Sequence, residues 1–183
     1  MAVRTSASDP IRVDWLIEDL PGRVGLTFAP GKHASSKYSA GGWARDLGAD
    51  LDKLVADGMS VQVCLLEDEE LVRLKIPTLV ESARALGIEV IRLPIPDGGT
   101  LPSPALAQAV VEQIVAAAKA GKGVVVHCMG RLGRAGTIGG CVLVALGLSA
   151  EDALARLTAC RGPNCPETTG QRAFLRSFAA SRA

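Results

Sequence analysis

The sequence predicts an α/β domain in which a central, mostly parallel β-sheet carries helices on both faces. Short apolar runs alternate along the chain with amphipathic helical segments, which is the order expected of connected parallel strands. The chain of 183 residues is long enough for one domain with a sizeable core. Its hydrophobic fraction is 48% but aromatic residues make up only 3%, so aliphatic side chains must fill that core.

Strands are predicted where apolar, mostly β-branched runs are bounded by turn residues. They are residues 11–17, 24–28, 61–66, 88–93 and 123–126. Proline and glycine mark the connections, as at Leu20-Pro21-Gly22 and in the loop from Pro94 to Pro104. Residues 30–42, which are rich in glycine, serine and lysine, are predicted to form a loop.

Helices are predicted at 44–56 and 77–86, where apolar residues recur at helical spacing, and at 106–120 and 138–148, which are apolar throughout. Residues 151–158 and 167–180 are predicted to form two further helices, and the acidic run 67–70 is expected to open another. Gly58 and Gly87 end the first two segments, and Ser149 is predicted to cap the fifth. We expect one domain over residues 11–183, preceded by a loose segment at residues 1–10.

The segment from His127 to Thr137 is the one around which the predicted site is organised. Cys128 follows an apolar strand, the next turn is rich in glycine, and Arg134 stands where a helix begins. This order directs backbone N–H groups at one spot beside the positive end of a helix dipole. Such a spot binds an oxyanion and favours the thiolate form of cysteine, while arginine can bind two oxygens of one phosphate. The residues therefore indicate a site for phosphate-ester hydrolysis.

The pattern His127-Cys128, five residues, then Arg134 resembles the signature loop of the cysteine-dependent protein tyrosine and dual-specificity phosphatases. Three further stretches are similar to the kinase-associated phosphatase group of that superfamily. They are Pro30-Gly31-Lys32, Arg45-Asp46-Leu47 and Leu93-Pro94-Ile95-Pro96-Asp97-Gly98-Gly99-Thr100. The resemblance implies a protein tyrosine phosphatase-like fold. It also implies hydrolysis of phosphotyrosine, and of phosphoserine or phosphothreonine, through a cysteinyl-phosphate intermediate with no metal or other cofactor.

The resemblance also assigns roles to individual residues. Cys128 is implied as the nucleophile, Asp97 as the general acid and His127 as a support of the loop. The implied phosphate-binding loop consists of Met129, Gly130, Arg131, Leu132, Gly133 and Arg134. Gln171 matches a glutamine that orients water in related phosphatases. Structural roles remain open for two of these residues, since Asp97 also suits an Asp-Gly turn and Gln171 also suits the surface of a helix.

Two residues depart from the pattern of the resembling family. Arg131 stands where a glycine is usual, and Ala135 replaces a hydroxyl residue that helps cysteine leave the intermediate. Either Thr137 compensates for the missing hydroxyl or the second step is slow. A catalytically impaired, phosphate-binding pseudophosphatase is therefore an alternative interpretation. A sulfur-transfer or arsenate-reducing thiol enzyme is a further alternative, but it gives Asp97 no comparable task.

Several other residues have more than one interpretation. Lys32 and His33 either approach a substrate phosphate or belong to a solvated loop. Arg45-Asp46 either belongs to the family pattern or forms a salt bridge at a helix start. The acidic run 67–70 is interpreted as a solvated helix cap without catalytic carboxylates. Two further cysteines, Cys160 and Cys165, are considered as disulfide partners of Cys128 under oxidation.

Composition argues against several classes of protein. Lysine and arginine number 20 against 19 aspartates and glutamates, so no charge excess indicates nucleic acid or an anionic membrane as partner. The 5 scattered cysteines suggest no disulfide framework, and the 2 histidines leave little for a zinc site. Without a visible secretion signal or bilayer-length apolar run, we expect a cytoplasmic protein. Its expected partner is a phosphorylated protein or peptide, and its oligomeric state stays open.

Overall fold

The computed structural model describes residues 3–35, 41–130 and 132–182. Its strands are β1 (Asp14–Ile17), β2 (Arg23–Phe28), β3 (His33–Ser35), β4 (Gly42–Ala44), β5 (Val61–Cys64), β6 (Glu89–Arg92) and β7 (Gly123–Cys128). Its helices are α1 (Leu47–Ala56), α2 (Asp68–Arg73), α3 (Leu79–Ala85), α4 (Pro104–Lys119), α5 (Arg134–Ala145), α6 (Ala150–Arg161) and α7 (Thr169–Ala180). Strands and helices thus alternate in the middle of the chain, as the apolar pattern predicts.

Five strands form a mixed sheet in the order β1-β2-β7-β5-β6. The pair β1–β2 is antiparallel, whereas the pairs β2–β7, β7–β5 and β5–β6 are parallel. The central strand, β7, ends at Cys128, which pairs with Phe28 of β2, and the preceding His127 pairs with Cys64 of β5. Because parallel strands end at the same edge of a sheet, three strand ends converge beside Cys128.

Two apolar cores cover the two faces of this sheet. Val124, Val126 and Cys128 of β7 belong to one core, while Val125 belongs to the other. This division follows from the two-residue period of a strand, which directs successive side chains to opposite faces. The first core includes side chains of α4, α5, α6 and α7, and the second includes side chains of α1, α2 and α3. The predicted α/β layering is therefore confirmed.

Two parts of the chain differ from the sequence prediction. The described N-terminal residues are not loose, because Arg4 N donates to Gly42 O at 2.9 Å and Ala44 N donates to Arg4 O at 3.0 Å. The predicted loop at residues 30–42 contains β3 and the start of β4, which pair in antiparallel fashion, while its residues 36–40 lie outside the described residues. Three-residue strands are too short for an alternating pattern to identify them, which explains why the sequence did not indicate this strand pair.

Among the described residues, no helix combines the length and apolar character needed to cross a bilayer.

Candidate active site

The ends of β2 and β7 border a cavity of about 810 Å³. Cys128, Arg134 and Asp97 all line this cavity, although they come from a strand end, a helix start and a distant loop. Lys32 and Trp43 also line it. The three residues to which the sequence analysis assigned the chemistry are therefore brought together in one place.

The turn between β7 and α5 forms one wall of the cavity. The described residues of the predicted phosphate-binding loop all line it, and they are Met129, Gly130, Leu132, Gly133 and Arg134. Arg131 lies outside the described residues. The N-cap of α5 is Gly133, which has no side chain to accept a hydrogen bond from the first turn. The first-turn N–H groups and the helix dipole thus attract an anion at this end of α5.

Arg134 is held by a buried carboxylate that sequence reasoning did not assign to the site. Its Nη1 and Nη2 donate to Glu70 Oε2 and Oε1 at 2.6 and 2.9 Å. The two side chains are only 2% and 4% exposed. Nη1 also donates to Ile95 O at 2.8 Å, and Nη2 donates to Asp97 Oδ1 at 3.1 Å. These contacts fix the plane of the guanidinium.

The electrostatics of this pair favour charge on both partners. Burial alone would lower the pKa of Arg134, but its hydrogen bonds to Glu70 and its Coulomb interactions with Cys128, Glu70 and Asp97 raise it above its usual value. Burial alone would raise the pKa of Glu70, but its hydrogen bonds from Arg134 and from the backbone at Glu67 lower it. Arg134 therefore remains a cation at the cavity wall.

The interpretation of residues 67–70 as a wholly solvated cap was wrong for Glu70. Glu67 and Glu70 do form a capping box at the start of α2, as the acidic run indicates. However, Glu70 is buried with 3% exposure. It stands four residues before Leu74, which is also buried, so helical periodicity was the signal that placed it on the inner face.

Asp97 lies in the loop between β6 and α4, with 44% of its side chain exposed. Its contact with Arg134 shows that it is more than a turn residue. A carboxyl group that lines the cavity and remains partly open to solvent lies within reach of both a bound substrate and water. The position thus suits the general acid that the resemblance implies.

His127 lies beneath the cysteine loop and is completely buried. Burial lowers the pKa of its imidazole to about 3, so the ring is neutral at physiological pH. Its Nε2 lies 2.8 Å from Nε2 of Gln62, a buried amide on β5. The ring therefore holds the end of β7 against β5, which agrees with the structural role expected for it.

Gln171 is buried, so the alternative that placed it on a helix surface was wrong. Its Oε1 accepts hydrogen bonds from Glu167 N and Thr168 N, both at 3.1 Å. Its Nε2 donates to Gly99 O at 3.2 Å. A Cβ atom added at Gly133 would lie 2.8 Å from that Nε2, so Gln171 packs directly against the cysteine loop. It joins α7, this loop and the Asp97 loop.

Thr137 is buried in the first turn of α5. Its hydroxyl donates to Gly133 O at 2.9 Å. Because a hydroxyl has one proton, this bond directs that proton to the loop backbone and away from Cys128. Ala135, two residues earlier, is fully buried and offers no hydroxyl.

The structure defines the contacts of Lys32 and of the Arg45-Asp46 stretch, for which the sequence left two interpretations open. Asp46 caps α1 by accepting from Ala49 N at 2.7 Å, whereas Arg45 pairs with Asp50. Lys32 is 4% exposed and donates from Nζ to Met129 O at 2.9 Å, so the solvated-loop alternative was wrong for this side chain.

The other four cysteines are buried or half-buried. Cys64 and Cys141 are fully buried, and burial raises the pKa of the Cys141 thiol to about 12. Burial likewise raises the pKa of Cys165 to about 12, and its Sγ donates to Leu132 O at 3.3 Å. All five cysteines are free, including the half-buried Cys160. Among the described residues, no group of three or more histidine, cysteine or acidic side chains is placed to hold a metal ion.

The chain is similar in sequence to a known protein family. The family described as cyclin-dependent kinase inhibitor 3 (CDKN3) matches residues 6–155. A curated relative of that name from Rattus norvegicus is 28% identical over 136 residues, which are 73% of this chain and 64% of the relative. The chain thus spans 64% of the length of the curated relatives that it matches.

Two solved structures extend the comparison to the whole fold. A kinase-associated phosphatase with its catalytic-site cysteine substituted by serine has a TM-score of 0.82 and 26% identity, covering 94% of this chain and 96% of that one. Tk-PTP in its active form has a TM-score of 0.72 and 30% identity, covering 92% and 96%. Both likenesses confirm the predicted phosphatase-type α/β fold. Because the family match covers most of the chain, the protein belongs to the cyclin-dependent kinase inhibitor 3 family of cysteine-based phosphatases.

Proposed function

We propose that the protein hydrolyses phosphate monoesters of phosphoproteins through a cysteinyl-phosphate intermediate. The observation that carries the proposal is the meeting of Cys128, Arg134 and Asp97 in one cavity. The similarity to a kinase-associated phosphatase whose catalytic-site residue is a cysteine supports it. The proposed substrates are phosphotyrosine peptides and, secondarily, phosphoserine or phosphothreonine peptides.

In the first step, the Cys128 thiolate attacks the phosphorus atom and forms the S–P bond. The P–O bond to the substrate breaks on the opposite side, and Asp97 gives its proton to the leaving oxygen. Loop amides and Arg134 stabilise the three remaining phosphoryl oxygens. We propose no metal ion or cofactor, because these groups supply the positive charge that the transition state needs.

The contacts of Arg134 indicate how the substrate enters. Four hydrogen bonds to Glu70, Ile95 and Asp97 match the four N–H bonds of its two terminal nitrogens. Two-point binding of phosphate therefore requires the Nε–H together with the Nη2–H that now points at Asp97. A phosphate dianion displaces the Asp97 carboxylate from Arg134, which leaves Asp97 beside the substrate and able to take up a proton.

In the second step, water attacks phosphorus and the S–P bond breaks. Asp97, now ionised, accepts the proton from water, and the electron pair of the broken bond restores the Cys128 thiolate. Phosphate then leaves the cavity. The nucleophile must be a reduced thiol, so we propose that the protein acts in a reducing compartment, the cytoplasm.

The experiment that tests this function is release of phosphate from an aryl phosphate by the purified protein. Cys128→Ser should abolish turnover, whereas Cys141→Ser removes a thiol of the core and should leave turnover measurable. Turnover by Cys128→Ser at the native rate would show that the nucleophile is wrongly assigned.

A catalytically impaired phosphate-binding protein is the second candidate, and the buried Ala135 favours it. This candidate predicts that a phosphopeptide binds without being hydrolysed. The variant Arg131→Gly restores the loop residue usual in the resembling family. A large gain in the rate of phosphate release would support an impaired site in the present chain, and native turnover at rates typical of enzymes would exclude this candidate.

A further inference from the structure

Lys32 makes an unusual contact with the cysteine loop. Its ammonium group is buried and donates to the carbonyl oxygen of Met129, the residue after the proposed nucleophile, at 2.9 Å. The same oxygen lies 3.5 Å from the backbone nitrogen of Ala29. The segment that connects β2 with β3 thus contacts the first peptide of the loop through both its backbone and a charge.

Two aromatic rings lie beside the Lys32 ammonium group, where water molecules would hydrate an exposed lysine. The Lys32 Nζ lies 4.2 Å from the centre of the Trp43 ring and 4.7 Å from the centre of the Phe28 ring. Such cation–π contacts are worth more when the cation is removed from water. The chain has only 3 phenylalanines and 2 tryptophans, so the placement of one of each beside this ammonium group is a specific arrangement.

A buried ion pair fixes the backbone from which Lys32 extends. Arg45 donates from Nε and Nη2 to Asp50 at 2.7 and 2.9 Å. Asp50 Oδ2 also accepts from Gly31 N at 2.8 Å, and Arg45 N donates to Lys32 O at 3.3 Å. Gly31 has φ +70°, a conformation that glycine adopts without strain. These contacts hold the turn that presents Lys32 to Met129.

The planar peptide bond connects this contact to anion binding. The carbonyl of Met129 and the N–H of Gly130 belong to one trans peptide, so they point in opposite directions. When Lys32 holds the oxygen on one side, the Gly130 N–H must point away from Lys32. A charged donor on the carbonyl also polarises the peptide and strengthens its N–H as a donor.

We propose that Lys32 is a positioning residue for the phosphate site: it fixes the Met129–Gly130 peptide so that the Gly130 N–H faces the bound oxyanion. This inference rests on the proposed phosphate-binding role of the loop. It accounts for the contact between the Lys32 ammonium group, which lines the cavity, and the carbonyl oxygen of the cysteine loop.

The variant Lys32→Met tests the proposal, because it keeps an unbranched apolar chain between the two rings and removes the charge. Tungstate, a tetrahedral dianion that is not hydrolysed, is titrated into the folded protein by calorimetry. Loss of one complete oxyanion donor costs about 10²–10³ in rate. Lys32 only orients such a donor, so we expect about tenfold weaker tungstate binding and about 10- to 100-fold lower kcat/KM.

A residue that only stabilises the fold would lower the unfolding midpoint without changing tungstate affinity. The matched control is Lys122→Met, which removes an exposed ammonium group bonded to Glu89 at 2.7 Å and should bind tungstate like the native chain. In NMR spectra, tungstate should shift the Gly130 amide proton of the native chain, and this shift should shrink in Lys32→Met.

Unchanged tungstate affinity in folded Lys32→Met would overturn the proposal. Lys32→Leu, with a shorter apolar side chain, is the second variant if the first does not fold. Should neither fold, Lys32 is a stability residue and the proposal fails. A native protein that binds tungstate but releases no phosphate would instead refute the proposed function and leave the role of Lys32 in anion binding intact.

Discussion

Arg134 and Glu70 form a two-point salt bridge behind the wall of the cavity, with N–O distances of 2.6 and 2.9 Å. Both side chains are almost completely buried, at 2% and 4% exposure. A buried ion pair of this kind is costly to break, because the remaining charge has no solvent to stabilise it. The pair therefore fixes the orientation of Arg134 before any substrate binds, which lowers the entropic cost of binding.

Glu70→Gln should lower the unfolding free energy of the protein, because it removes the charged partner of Arg134. Breaking a buried pair costs about 3–5 kcal/mol, and since glutamine retains one hydrogen bond we expect a loss of about 2–4 kcal/mol in urea unfolding at pH 7. The lowered pKa of Glu70 means that its stabilisation is complete above its ordinary value of 4.5 and is lost as pH falls through the lower folded value. The native and variant unfolding free energies should converge in strong acid. Glu69→Gln, at the exposed neighbouring position, is the control. It should change neither the unfolding free energy nor its dependence on pH.

His127 should make the unfolding free energy depend on pH above the range in which carboxylates titrate. Its folded pKa is about 3 against an ordinary value of 6.5, so between these values the unfolded chain binds a proton that the native state does not. Stability is then lost as pH falls, by up to about 1.4 kcal/mol per unit. His127→Gln should flatten the slope between about pH 6.5 and 5 in urea titrations. An unchanged slope in His127→Gln would show that His127 is not buried as a neutral ring.

Two glycines of the same loop should respond differently to alanine. A Cβ at Gly133 would lie 2.8 and 2.9 Å from the side-chain amide of Gln171, whereas a Cβ at Gly130 meets nothing within 4 Å. Gly133→Ala must displace a buried side chain, and we expect a loss of about 1–3 kcal/mol in unfolding free energy. Gly130→Ala is the matched variant and should stay within about 0.5 kcal/mol of the native value. Equal stability of both variants would mean that Gln171 moves freely.

The sequence was informative wherever one short segment determines both local structure and chemistry. The order of strand, glycine-rich turn and helix from His127 to Thr137 could be predicted because its residues are contiguous and each supports the next. Asp97 could be placed by its motif. Periodicity predicted α1 and α3, the long apolar runs predicted α4 and α5, and the Ser149 cap predicted α6.

The parts that could not be predicted depend on contacts between distant segments. Glu70 reaches Arg134 across 64 positions, and Lys32 reaches Met129 across 97. Charged residues in a polar stretch usually face solvent, so local composition favoured the wrong environment for both side chains. The tertiary fold overrides that preference when it supplies a partner, and no single stretch of sequence contains the partner.

Asp97→Asn should separate anion binding from turnover. The Asp97 carboxylate accepts from Arg134 Nη2 at 3.1 Å, so removing its charge takes away a competitor of the phosphate, and tungstate should bind more tightly. Turnover should fall by about 10²–10³ for substrates with poor leaving groups, which need a proton, and by less for activated aryl phosphates. Asp68→Asn removes an exposed carboxylate paired with Arg92 and is the control. A variant that retains native turnover on poor leaving groups would exclude Asp97 as the general acid.

Ala135→Ser should accelerate the second chemical step. In the native protein the Thr137 hydroxyl donates to Gly133 O at 2.9 Å. Ala135 has no hydroxyl that could donate a hydrogen bond to the departing Cys128 thiolate. A slow second step predicts a burst of product alcohol in stopped-flow measurements with an aryl phosphate, followed by a slower steady rate. A hydrogen bond to a charged group contributes about 1.5–3 kcal/mol, so a correctly placed serine should raise the steady rate about tenfold or more and reduce the burst.

The control for this variant is Ala145→Ser, which adds a hydroxyl at the other end of α5, far along the helix from the loop. It should leave the burst and the steady rate unchanged, whereas Ala135→Ser should also lower stability slightly, because the site is fully buried. If Ala135→Ser gives the native steady rate in a protein that still shows a burst, the missing hydroxyl does not limit the release of phosphate. The slow step would then arise from the attacking water, which places the limitation at Asp97 and Gln171, since Gln171 of α7 donates to Gly99 O in the Asp97 loop.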